Sequence, residues 1–161
     1  MPNEFYGLPL HPLIVHATVV IVPLAAITVL LAALWPRFRA WAGPLPAATS
    51  LVGLVLVPLS TSTGETLERH VQPSAALSEH THLADALLPW MIGLTIVAAA
   101  GYALHWRAAR DHGVRRVVTV AVTVLAIAAA AGTSIQVARI GHSGAKAAWA
   151  DTSMTAAPLS P

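Results

Sequence analysis

Residues 13–35 read LIVHATVVIVPLAAITVLLAALW, with no Asp, Glu, Lys or Arg among them. A helix rises about 1.5 Å per residue, so a run of this length crosses the roughly 30 Å hydrocarbon core of a bilayer. Three further stretches meet the same test, at about 45–65, 83–104 and 117–138. The second is apolar to Leu59 and then turns polar through Ser60-Thr61-Ser62-Thr63-Gly64; the third carries Asp85 near its start. None alternates as a barrel strand would, and Ala- and Leu-rich runs of this length favour helix. The expected fold is therefore an all-α integral membrane protein, an up-down four-helix transmembrane bundle. Residues 1–150 form one domain, and 151–161 are expected to be a disordered tail of Ala, Ser, Thr and Pro. No internal repeat is visible.

Composition leads to the same class. Of 161 residues, 56% are apolar and only 10% charged, against about 25% charged in a soluble domain. Nine Lys+Arg and seven Asp+Glu are too few to cover a water-facing surface. The net charge of +2 is too small a basic excess for a phosphate-binding footprint, so nucleic acid is not an expected partner. The absence of Cys excludes disulfides, thiolate zinc sites, iron–sulfur ligation and Cys nucleophiles.

The basic residues orient the bundle. The links between spans one and two and between three and four carry Arg37, Arg39, Arg107, Arg110, Arg115 and Arg116; the other side carries Arg69, Arg139 and Lys146. Six against three places the first set in the cytoplasm and both termini outside, in a multi-pass protein of the cytoplasmic (inner) membrane. The N-terminal region has Glu4 and no basic run, so a cleaved signal peptide is not expected.

Alternation then gathers the scarce polar residues at the outer end. His11 and His16 lie at the start of span one, and Glu65, Glu68 and His70 at the end of span two. Glu79, His80, His82 and Asp85 lie at the start of span three, and Arg139 and His142 at the end of span four. An ionisable group at membrane depth is costly and points to function, and mixed imidazole and carboxylate donors suit zinc, iron or copper. Pro23, Pro58 and Pro89 each lie seven residues deeper than His16, Glu65 and His82. They could kink the spans and splay a pocket open there. The bland reading is interfacial polarity, with Glu65 and Arg69 as an i,i+4 surface pair and Arg139 reaching the headgroups.

The segments Gly7-Leu-Pro-Leu-His11-Pro12-Leu-Ile-Val-His16, Thr63-Gly64-Glu65-Thr-Leu-Glu68, His80-Thr-His82-Leu-Ala84 and Gly141-His142-Ser-Gly144 together resemble a bacterial family of predicted membrane proteins, domain of unknown function 2231. The resemblance spans about residues 7–150, and His-Pro-x-x-x-His is its most specific part. Thr81 stands where members often have Glu. The resemblance implies a four-helix membrane protein with no assigned catalytic residue. Some relatives are fused to Rieske-type domains, which implies a redox setting.

Two cofactor readings suit these residues. One is a non-haem metal centre, with His11, His16, Glu65, Glu68, His80, His82 and His142 as candidate ligands and Asp85 and Arg139 orienting them. The other is a b-type haem held by two axial His, His16 with His82, with Arg139 on a propionate. A structural or assembly subunit is the non-catalytic alternative. Expected partners are the lipid bilayer and either a Rieske-type redox protein or a second copy of the chain.

Overall fold

The structure is a computed structural model and describes residues 4–5, 8–69 and 71–149. His70 and the 151–161 tail lie outside them. Two short strands, β1 (Glu4–Phe5) and β2 (Leu8–Pro9), pair antiparallel ahead of the first helix. Six helices follow: α1 (Leu10–Leu34), α2 (Pro36–Ala42), α3 (Leu45–Glu68), α4 (Ala75–Asp85), α5 (Leu87–Ala108) and α6 (Arg116–Trp149). Four helical stretches are long and apolar enough to cross a membrane: α1, α3, α4 with α5, and α6.

The long helices close into a ring. α1 packs against α3 and α6, α5 packs against the same two, and α1 and α5 meet only lightly across the middle. Each long helix is apolar on every side, as a bundle bathed in lipid requires. Val19, Val20 and Ile27 face outwards from α1 while Val22, Ala25, Ala26 and Val29 are buried. The buried set follows the i, i+3, i+4, i+7 spacing of one helix face. Val57, Leu87, Met91, Leu94, Ala98, Ala126 and Ala130 complete the core. Small residues bring the helices together: Gly53 lies under Met91, and Gly132 under the ring of Trp90. Lipid gives helices no hydrophobic reason to associate, so such close packing supplies the attraction.

Two elements differ from the expected spans. The third span is two helices, with a turn at Ala86. Pro89 has no N–H, and its ring clashes with the carbonyl four residues back, that of Asp85. The break falls there, and α4 is a separate short helix capped by Ser74 Oγ on the Leu77 N–H at 3.1 Å. Pro23 and Pro58 instead stay inside continuous helices. The fourth helix continues through Arg139, His142 and Lys146 to Trp149. At about 1.5 Å per residue it overhangs the roughly 30 Å hydrocarbon core by several turns. α4 packs along this overhang.

Thr133 is fully buried on α6, and its hydroxyl is the buried side-chain atom without a hydrogen-bond partner among the described residues. A buried unpaired hydroxyl costs more than an apolar group of the same shape. Thr133→Val is therefore expected to raise stability by about 1 kcal/mol, read from thermal unfolding in detergent. A lower melting temperature would show that the hydroxyl has a partner.

Candidate functional site

The start of α1, the end of α3, α4 and the end of α6 meet at one end of the bundle. Of the nine candidate site residues there, the structure turns two imidazoles inwards, His11 and His80, both half-buried and hydrogen-bonded to another helix. Glu68 is half-buried as well. His16, Glu65, His82, Asp85, Arg139 and His142 are exposed. His16 bonds through Nδ1 to the Pro12 carbonyl of its own helix. Among the described residues, no three His, Asp or Glu side chains converge as a metal-binding group. The end that sequence alternation selects is thus polar as expected, and two of its imidazoles are held across helices.

His11 sits against α3. Its Nδ1 lies 3.2 Å from the Ser60 carbonyl oxygen and 3.2 Å from Thr63 Oγ1. A carbonyl only accepts, so Nδ1 carries the proton. Thr63 fits this, because its own hydroxyl proton goes to Leu59 O at 2.9 Å or Ser60 O at 3.0 Å, leaving its oxygen free to accept. The ring lies on Gly64, where a Cβ would meet Cε1 at 3.0 Å.

His80 repeats the arrangement against α6. Its Nδ1 is 3.1 Å from Ser143 Oγ. Ser143 is buried and within reach to donate its one proton to Ile140 O at 3.0 Å, the arrangement in which its oxygen accepts from His80. This ring lies on Gly144, with a Cβ position 3.0 Å from Cε1. The two sockets match: a His at the start of one span, held by the hydroxyl–glycine doublet near the end of the next. Thr63-Gly64 serves His11, and Ser143-Gly144 serves His80. The α1–α3 and α4–α6 contacts thus share one kind of socket, a likeness that the sequence alone did not reveal.

The chemistry comes from the tautomer. With the proton held on Nδ1, each neutral ring presents Nε2 as a bare lone pair. Metal-ligating imidazoles are oriented in this way, the second nitrogen bonded to a carbonyl or hydroxyl. Below the pair, Gln136 Nε2 donates to Leu83 O at 2.6 Å. This bond ties α6 to α4. Thr63, Ser143, Gly144 and Gln136 were not among the sequence-derived candidates. The signal for three of them was present as two Ser/Thr-Gly doublets, but nothing in one dimension pairs a doublet with a particular His.

Removing the accepting hydroxyl should free the tautomer. Ser143→Ala is expected to weaken any metal binding through His80 by about 10–100-fold. Thr63→Val is expected to cost less, because the Ser60 carbonyl still holds His11. Metal titration of both variants checks the order, and equal affinity in both would overturn the tautomer argument.

A family model described as a predicted membrane protein (DUF2231) matches residues 7–157. No curated protein and no solved structure matches the chain.

Proposed function

We propose that this chain, which belongs to the DUF2231 family of predicted membrane proteins, carries a two-imidazole metal centre at the polar end of its bundle. The observation that supports it is the matched pair of sockets. Each engages its ring through Nδ1, and among the described residues Nε2 of His11 and of His80 makes no hydrogen bond. Structural interfacial histidines need no such duplicate arrangement, and His16 and His82 have none across helices. The metal is a transition metal, since neutral imidazole suits iron, copper and zinc and not magnesium or calcium. Metal analysis of protein purified in mild detergent tests the reading. About one transition metal per chain is expected, and none across several preparations, including metal-supplemented ones, would overturn it.

The centre faces the extracytoplasmic side, because arginine is concentrated at the opposite end. Arg37, Arg107, Arg110, Arg115 and Arg116 are exposed there, and Arg110 lies 3.6 Å above the Trp106 ring. The chain has no Cys, so single introduced thiols report topology without background. Both Ser78 and Gly113 are exposed. Ser78→Cys is expected to react with an impermeant maleimide in intact cells, and Gly113→Cys only after permeabilisation. The reverse pattern would invert the bundle.

A further inference from the structure

Arg39 stands apart from the other arginines at its end of the bundle. It is half-buried, whereas Arg37 on the same short helix is exposed. Its Nη1 donates to the Ala32 carbonyl at 3.3 Å, and no carboxylate meets it among the described residues. A guanidinium is always charged and presents a fork of N–H donors. A single carbonyl fills little of that fork, and a half-buried cation without an anion is costly. We propose that Arg39 and the cavity beside it bind the phosphate of an anionic phospholipid drawn from the surrounding bilayer.

The cavity lies where all four spans converge. Ala33 of α1, Pro46 of α3, Gly101 of α5 and Thr123 of α6 line it together with Arg39, and its volume is about 50 Å³. One water needs about 10–15 Å³ of such space, so a group of a few heavy atoms fits and a whole lipid does not. The cavity is partly open, so a phosphate can enter while its glycerol and chains stay in the bilayer. Tyr102 lines it as well, and neither its hydroxyl nor that of Thr123 makes a hydrogen bond among the described residues. A guanidinium and two hydroxyls thus border one small space that no acid lines. This is a donor set suited to a phosphate.

Depth selects a lipid over a soluble anion. Trp35, Phe38 and Trp41 make successive ring contacts along α2, with centroids 6.5 and 5.8 Å apart. Trp41 is nonetheless 77% exposed. Exposed aromatic rings at a span end belong at headgroup level, so Arg39, carried on the same short helix, lies at the depth of lipid phosphates. The links at this end hold six arginines against one acid, Asp111, which favours an anionic headgroup over a zwitterionic one. Basic pockets between transmembrane helices bind anionic headgroups in this way. The outward faces of the spans are apolar and receive the acyl chains, a contact that inorganic phosphate lacks.

Gly101 keeps the space open. Within 4 Å, a Cβ there would meet only Val122 Cγ1, at 4.0 Å, and Val122 is itself a lining residue. A side chain at this position therefore grows into the cavity without a backbone clash.

The full chain in mild detergent, titrated separately with phosphatidylglycerol, phosphatidylcholine and inorganic phosphate, tests the site. Native mass spectrometry counts bound lipid, and thermal unfolding reads the stabilisation by each. One tightly bound phosphatidylglycerol per chain is expected, in preference to phosphatidylcholine. Arg39→Gln should weaken it by about 10–100-fold, the worth of a charge-assisted hydrogen bond. Arg39→Lys, which keeps the charge without the fork, should bind with intermediate strength. Gly101→Val should lose the lipid with Arg39 intact, and Arg37→Gln should retain it. Circular dichroism confirms the helix content of each variant. Retention in both Arg39→Gln and Gly101→Val would overturn the site. Equal weakening in Arg37→Gln and Arg39→Gln would reduce the effect to diffuse surface charge and overturn it too. Stabilisation by inorganic phosphate equal to that by phosphatidylglycerol would overturn the lipid as the occupant.

Discussion

Alanine at His11 or at His80 is expected to remove bound metal by more than the roughly 10–100-fold that outer-shell partners of a ligand are worth. In the proposed centre each imidazole is one of two protein ligands, so losing one leaves the metal a single one. The double variant should then bind no more weakly than either single one, since groups that act as a unit are not additive. Alanine at His16, His82 or His142 should leave loading unchanged, because these side chains are exposed and lie outside the sockets. Metal analysis of the six purified variants, with circular dichroism to confirm helix content, decides the matter. Loss of metal in His16→Ala with retention in His11→Ala would transfer the site to the exposed face and sink the pair.

The largest effect on stability is expected at Gly132. A Cβ there would lie 2.0, 2.3 and 2.4 Å from Cζ3, Cε3 and Cη2 of Trp90. An aromatic ring cannot yield as a chain end does, so either α5 and α6 separate or the indole leaves its notch. Overpacking of this kind costs about 1–3 kcal/mol, and a rigid ring places Gly132→Ala at the upper end. Gly53→Ala provides the contrast. Its Cβ would meet Met91 Cε at 2.7 Å, but that atom is the tip of a flexible thioether side chain that can swing aside. Less than about 1 kcal/mol is expected there. In a Trp90→Ala background, Gly132→Ala should lose most of its cost. Thermal unfolding in detergent of the four variants checks the ranking. An unshifted Gly132→Ala would mean that the α5–α6 contact does not hold the bundle together.

Much of the architecture was legible in one dimension. Apolar runs long enough to cross a bilayer marked the four spans, and alternation marked the end where His and carboxylates collect. Two helix boundaries were not legible there, for separate reasons. The third span broke because Pro89 clashes with the carbonyl of Asp85, an effect at four residues' remove from its cause. The fourth helix outran its apolar stretch because α4 covers the overhang, so hydropathy stopped being the reason for the helix to persist. The candidate site was legible as a list and not as a geometry. His11 and His80 were named, but so were His16, Glu65, His82 and His142, which the bundle turns outwards.

That contrast has one physical origin. Membrane residence comes from summing the transfer free energies of about 20 successive residues, a sum that ignores which way any side chain faces. The sequence therefore suffices for the class, the number of spans and the pooling of polar residues at one end. Which of those residues looks inwards depends on the rotation of each helix about its axis. A helix apolar on all sides carries almost no signal for that rotation. It is set by contacts between helices: Trp90 on Gly132, Met91 on Gly53, His11 on Gly64 and His80 on Gly144. Only those contacts separate a matched pair of imidazoles from a scatter of polar groups at a membrane surface.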